Sequence, residues 1–455
     1  MSTLLIKNGI VVNEGSVKNL DILIKNKLIH KIDKHIITKA DRIIDANSNY
    51  VLPGAIDAHT HMELPVMETY SSDSFESGSM AALFGGTTTI IDFSNQQKGS
   101  SLKEALEYSH SKADNNCYTD YAFHMSVTDV NKKTLEEINH IVKHDGITSF
   151  KTFMAYPSMM INSSDMRLLM KKVRELGGLI SVHAEDGEMI DLNIKNYKLK
   201  KQITPQFHPL SRPDIVEESA VKEIIKIASK EKCPLYIVHL STQKALNEVI
   251  KAKKSGASIY AETCPQYLLL DESLYNNPSM IESAKYILSP PLRSKENHDP
   301  LWLAIKDNFI DTVATDHCPF LLKDKIKSVF DYTKIPNGIE GVEHRLELLY
   351  HFGVRSKKIS IADLVRVTST NPAKIFGLYP KKGVIKEGSD ADLVIFNPHI
   401  KQTLSHTTHH SDVDHCPYEG FLIEGKCQTV IIRGRIAMEN NKIHISKNFG
   451  EYLKR

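Results

Sequence analysis

Eight short β-like runs alternate with helix-forming segments between residue 54 and about residue 320, and this alternation constrains the fold more than any other feature of the chain. The runs are GAIDAHTH, TTTIIDF, TDYAFHMSV, ITSFKTFMA, LISVHAE, PLYIVHL, ASIYAETC and DTVATDHC. Segments between them, such as SLKEALEYSHSKA, KKTLEEINHIVKH, SSDMRLLMKKVRELG and DIVEESAVKEIIKIASKEK, carry apolar residues three and four apart, the spacing of one helix face. Eight strand-helix units describe a (β/α)8 TIM barrel of the α/β class.

The two ends of the chain read differently. Residues 3–13, 20–32 and 42–51 are strand-like with turn residues between them, as are ADLVIFNP, HCPYEGFLIEG and QTVIIRGRIAMENNK near the C-terminus. They predict a small β-sandwich domain formed by both termini, residues 1–53 and 380–455, with the barrel of residues 54–379 inserted between its halves. No solenoid repeat or low-complexity tract interrupts this plan.

In such a barrel the chemistry gathers where the strands end. The first run closes on His59-Thr60-His61, and residues two apart on a strand project from one face, so both rings can reach one metal ion. A lone histidine after a strand is ordinarily a hydrogen-bonded structural residue. Here Lys151, His183, His239 and Asp316 close further runs in the same way. Four histidines, an aspartate and a lysine flanked by apolar residues can make a two-metal site.

Charged residues make up 25% of the chain and the formal net charge is +2, so no nucleic-acid partner or acidic membrane surface is implied. No apolar run approaches the roughly 18 residues of a membrane span. The N-terminus carries no secretory pattern, and a cytoplasmic location is expected. The six cysteines show neither C-x-x-C nor disulfide-like spacing and read as buried small hydrophobes. Cys318, close to Asp316, reads as a bystander. The histidines His406, His409, His410 and His415 lie in a polar loop outside the barrel and are expected to be solvated.

The strings VLPGAIDAHTHMELP, GGTTTIIDF, SFKTFMAY, VHAED, VHLS, ETCPQYL, SPPLR, TDHCPF, IPNGIEGVEHR, TNPAKIFGL and GSDADLVI together resemble the cyclic amidohydrolases over essentially the full length. Within them they are most similar to the dihydropyrimidinase and hydantoinase group. The resemblance implies two divalent ions, usually zinc, one held by His59, His61 and Asp316 and the other by His183 and His239, with Lys151 bridging them as a carbamate. An ammonium beside two dications is electrostatically untenable, so the lysine must be neutral or altered. Two ions lower the pKa of a shared water from about 15.7 towards 7, and no strong side-chain base is then required. By the same resemblance, Asp316 accepts the water proton and delivers it to the departing ring nitrogen, and Tyr156 stabilises the oxyanion. Backbone groups of Ser289 and Asn337 would bind the planar CO-NH-CO edge of the substrate.

The implied activity is hydrolysis of a cyclic ureide, a dihydropyrimidine or a hydantoin, to an N-carbamoyl amino acid. Allantoinase is the nearest alternative, and a non-catalytic scaffold of the same family is disfavoured because every ligand position is intact. Dihydroorotases commonly place an arginine two residues after the second histidine, where this chain has Glu63, so an anionic ring is disfavoured too. Met62, Leu64, Val66 and Met67 suggest either an apolar loop over the substrate's exocyclic group or plain loop packing. Barrels of this group commonly form homotetramers, and that assembly is the family expectation here.

Overall fold

A computed structural model describes residues 2–455. The N-terminal segment lays down β1 (Thr3–Asn13), β2 (Ser16–Lys25), β3 (Leu28–Asp33), β4 (Arg42–Asp45) and β5 (Tyr50–Pro53). Strand β6 (Ala55–Thr60) then enters the barrel, followed by a two-stranded hairpin of β7 (Pro65–Val66) and β8 (Thr69–Tyr70). The remaining barrel strands are β9 (Thr87–Asn95), β10 (Asp120–Ser126), β11 (Ser149–Phe153), β12 (Leu179–His183), β13 (Leu235–Ile237), β14 (Ile259–Thr263) and β15 (Thr312–Val313). All eight runs expected from the sequence are present, in the parallel spatial order β15-β14-β13-β12-β11-β10-β9-β6. Strands β6, β10, β11 and β12 are buried at every residue, as expected of a parallel sheet covered on both faces.

The sheet closes on itself beyond the last strand. Thr60 and His317 form a parallel bridge, and His61 N donates to the His317 carbonyl at 2.8 Å. Asp57 accepts from Thr315 Oγ1 at 2.7 Å. Across the same seam Arg345 Nη1 donates to the Ile56 carbonyl at 2.9 Å and the Val313 carbonyl at 3.0 Å. One end of the barrel interior is filled by Ile56, Ala58, Ile91, Ala122, Leu179 and Tyr236, sealed by Phe376, Leu378 and Leu453. The chemistry-bearing residues sit at the strands' C-terminal end.

The helices begin where their sequences supply caps. Helix Leu102–Ala113 starts on a capping box between Ser101 and Glu104, which satisfies two backbone donors that helix geometry leaves unpaired. Helix Gln243–Lys254, directly after His239, is capped by Thr242, whose hydroxyl accepts from Ala245 N. No helix among the described residues is long and apolar enough to cross a membrane.

The C-terminal segment adds β16 (Leu393–Thr403), β17 (Leu422–Ile432), β18 (Arg435–Glu439) and β19 (Lys442–Ile443). They join the N-terminal strands in one nine-stranded sheet of order β19-β18-β17-β16-β5-β1-β2-β3, with β4 on β1. The stretch HCPYEGF, expected as strand, is instead turns, and β17 starts only at Leu422. Barrel and terminal sheet share a buried ionic knot. Lys382, 1% exposed, lies 2.7 Å from Asp120 Oδ2 of β10, 3.1 Å from Asp390 and 2.6 Å from Asp392.

Candidate active site and metal centre

The strand-end residues singled out in the sequence converge. His59 Nε2 and His61 Nε2 each lie 3.1 Å from Asp316 Oδ1, and ligand atoms of the three fall within 4.8 Å of one another. The first and last barrel strands meet here because β6 and the segment after β15 are neighbours across the barrel seam. Strand β6 carries an irregularity between Asp57 and Thr60, where its register against β9 shifts, and such a bulge re-aims the strand end that bears both histidines. Lys151 Nζ stands 3.0 Å from His59 Nε2 and 4.1 Å from the centroid of the Phe93 ring. His183 Nδ1 faces His239 Nε2 at 2.9 Å, and the His239 ring lies 5.5 Å from that of His59.

Charge and burial make this donor set fit divalent ions. Burial lowers His61 to about 3 and holds His183 and His239 below the ordinary imidazole range. Neutral rings with free lone pairs are the form that ligates a metal. The Nδ1 atoms of His61 and His239 are buried without a hydrogen-bond partner, so neither ring is fully used by the protein. Burial also lowers the Lys151 ammonium from its usual value. Asp316 is well below the ordinary carboxylate range, because the facing His59, His61 and His239 rings outweigh the opposing effect of burial. Its side chain keeps 16% of its exposure whereas His59 has none, so Asp316 marks the side open to a small molecule.

Three of these positions are strained. Tyr156, His239 and Asp316 have φ of 70°, 40° and 53°, the left-handed region that non-glycine residues rarely adopt. Such strain gathers where surrounding structure fixes a side chain for function. The Tyr156 ring stands 5.2 Å from that of His183 and 5.4 Å from the Arg212 guanidinium. Burial pushes its phenol above the ordinary value, with Arg212 opposing and the Ser289 side chain hydrogen-bonded nearby. Ser289 Oγ donates to Asn337 Oδ1 at 3.0 Å, so the two expected substrate-contacting residues sit side by side. The glycine after Asn337 is required: Gly338 has φ 148°, and a Cβ there would strike the Cys318 carbonyl.

Several residues that sequence reasoning did not single out hold this centre in place. Glu262 Oε1 lies 2.6 Å from His59 Nδ1 and accepts from His239 N at 3.0 Å. Glu185 Oε2 sits 2.9 Å from His183 Nε2 and 2.5 Å from Arg212 Nη1; burial raises its pKa, but Arg212 and His183 hold it down to about 2. Asp92 accepts from Thr60 Oγ1 and Met62 N at 2.8 and 2.9 Å, and burial pushes its carboxyl up to about 7. All three carboxylates stood inside quoted strings, Asp92 in GGTTTIIDF, Glu185 in VHAED and Glu262 in ETCPQYL.

Other expectations resolve individually. All six cysteines are buried and free, and burial keeps the Cys318 thiol protonated, consistent with a bystander. Glu63 bonds Lys112 at 3.1 Å, Met62 is buried, and Met67 is exposed on the hairpin. The reading of His406, His409, His410 and His415 as solvated needs correction. Only His406 is well exposed, at 43%, whereas the His409 and His415 side chains are 2% and 7% exposed. Val413, Cys416 and Tyr418 bury themselves in the interior and carry the loop inward with them.

Comparison with known proteins points the same way. Residues 50–437 match the profile of the amidohydrolase family. The chain is 40% identical to a D-hydantoinase of Streptomyces coelicolor, covering 100% of this chain and 98% of that one. It is 38% identical to a dihydropyrimidinase of Rattus norvegicus, covering 99% and 88%. The crystal structure of dihydropyrimidinase from Brevibacillus agri superposes with a TM-score of 0.98 at 40% identity, covering 100% of this chain and 98% of that chain.

Proposed function

The chain belongs to the amidohydrolase family, and on that premise we propose that it hydrolyses the ring amide of a cyclic ureide, a 5,6-dihydropyrimidine or a hydantoin, to an N-carbamoyl amino acid. The observation that carries this reading is the meeting of His59, His61, Lys151, His183, His239 and Asp316 at the C-terminal end of the barrel strands. Full-length likeness to proteins named D-hydantoinase and dihydropyrimidinase supports the substrate class.

In this proposal His59, His61 and Asp316 would hold one divalent ion and His183 and His239 a second, and Lys151 would serve both as a carbamate; zinc suits the nitrogen and oxygen donors. When bound, such ions acidify a water and polarise the scissile carbonyl. The residues do the rest. Asp316 takes the proton of the attacking water and returns it to the ring nitrogen as the C–N bond breaks. Tyr156 donates its hydroxyl to the oxygen that gains charge. Backbone groups at Ser289 and Asn337 meet the CO-NH-CO edge of the ring, whose alternating acceptors and donor suit peptide groups. Glu262 and Glu185 fix which nitrogen of His59 and His183 faces the centre.

The proposal extends to a cytoplasmic homotetramer in which residues 54–379 carry catalysis and residues 1–53 with 380–455 form the accessory β domain. Light scattering of the purified protein tests the assembly. A panel of dihydrouracil, hydantoin, a phenyl-substituted hydantoin, allantoin and dihydroorotate, run with metal analysis, tests the reaction. Ring opening of the first three with chelator-sensitive rates is expected. Turnover confined to allantoin would replace the reading with allantoinase, and turnover of none would sink it.

A further inference from the structure

A second cluster of ligand-type side chains lies outside the catalytic centre. Glu340, His344, His409 and Cys416 bring one donor atom each to within 4.8 Å of one another. Cys416 Sγ is 3.3 Å from Glu340 Oε1, His344 Nε2 is 3.6 Å from the same oxygen, and His409 Nδ1 is 3.9 Å from Glu340 Oε2. A tetrahedral zinc with bonds of about 2.0 Å to nitrogen or oxygen and about 2.3 Å to sulfur has edges of about 3.3 to 3.5 Å. The cluster is therefore near the size of one coordination shell and needs only a modest contraction to form it.

An independent observation shows that the protein alone leaves this cluster incomplete. Both ring nitrogens of His344, His409 Nδ1 and Glu340 Oε2 are buried and have no hydrogen-bond partner. The side chains concerned are 5%, 2% and 1% exposed. Buried polar atoms are paired in the great majority of cases, and several orphans within one cluster mark a missing partner. His409 turns its other nitrogen, Nε2, to the Val413 carbonyl at 2.9 Å, which fixes the tautomer and leaves Nδ1 as the free lone pair. No lysine or arginine pairs with Glu340 among the described residues, and its ion-pair partners are the two histidines.

We propose that Glu340, His344, His409 and Cys416 bind a structural zinc ion, separate from the catalytic centre, that ties the loop after the last barrel strand to the segment between β16 and β17. Thiolate, imidazole and carboxylate together suit zinc, and four protein ligands leave no open position for substrate. Glu340 lies three residues beyond Asn337 in IPNGIEGVEHR. The ion would thus hold the loop that carries Asn337 against the C-terminal segment.

Cobalt substitution tests this without relying on activity. The catalytic ligands named above include no thiolate, so a sulfur-to-cobalt charge-transfer band in the near ultraviolet reports the proposed site. The fully cobalt-loaded protein should show that band, and Cys416→Ala should lose it together with one ion per chain. Zinc K-edge absorption on the unaltered zinc protein should show a zinc-sulfur distance near 2.3 Å, a measurement that needs no variant to fold. Absence of both signals in fully loaded protein overturns the proposal. A band that persists in Cys416→Ala but disappears in Cys318→Ala also overturns it, since the thiolate would then belong to the catalytic region.

Discussion

Glu262 Oε1 sits 2.6 Å from Nδ1 of His59, with both side chains fully shielded from solvent. A carboxylate accepting the Nδ1 proton leaves Nε2 as the lone-pair nitrogen, and Nε2 is the atom that faces Asp316. Glu262 therefore sets the tautomer a metal ligand needs. Glu262→Gln keeps the shape but removes the charge, and is expected to weaken metal affinity by about 10- to 100-fold. Competition against a chelator measures it; unchanged affinity would show that His59 needs no such anchor.

In the proposed mechanism Asp316→Asn removes both the proton carrier and an anionic ligand. Turnover should fall by about 10³-fold or more, with the fold intact by circular dichroism. Rate and metal content are the paired readouts. A variant that keeps near-normal values of both would exclude Asp316 as the acid-base group.

The eight barrel strands were legible because strands buried on both faces are written as short apolar runs, and the candidate ligands His59, His61, His183, His239 and Asp316 because each falls at or just beyond such a run's end. What escaped depends on neighbours distant in sequence. Glu262 pairs with His59 across 203 residues, and nothing near it in ASIYAETC announces that. Arg212 reaches Glu185 from a loop 27 residues on. His409 looked solvated because SHTTHHSD is polar, yet its burial is decided downstream by Val413, Cys416 and Tyr418. Composition reports the average environment of a segment, whereas the fold decides each side chain.

Tyr156→Phe deletes a single hydroxyl from a ring that stands 5.2 Å from that of His183. An oxyanion donor acts mainly in the transition state and is worth about 3 kcal/mol. The expected result is a kcat lowered by about 10²-fold with KM little changed. A raised KM at constant kcat would assign the hydroxyl to ground-state binding.

Lys382 predicts a stability effect far from the chemistry. Burial lowers its pKa, but Asp392 and Asp390 raise it by more, so the net value lies above that of a free lysine. A group raised in the folded state stabilises in full below its unfolded pKa, about 10.4, and that contribution is lost as pH rises through the folded value. Lys382→Met should cost about 3 to 5 kcal/mol at neutral pH, because the carboxylates of Asp390 and Asp392 are left without their cation and Asp120 keeps only Arg433. Urea unfolding across pH 7 to 11 follows both effects. Equal stability of variant and parent at pH 7 would contradict the account.

Lys151 carries the least ordinary assignment. Its Nζ is buried 3.0 Å from an imidazole nitrogen, and burial already lowers its pKa. If it presents a carbamate to two ions, Lys151→Ala should lose metal and activity, since two dications close together then lack a shared anion. The vacated space offers a test that deletion alone does not. Acetate or propionate added with zinc should bridge the ions and restore part of the rate, whereas chloride, which cannot span two metals with separate oxygens, should not. A lysine that serves only as a buried cation gives the opposite pattern: the alanine variant keeps its metals and carboxylates change nothing. Labelled bicarbonate with carbon NMR reads the unaltered protein directly. Active, metal-loaded enzyme without a carbamate signal would rule out the bridge.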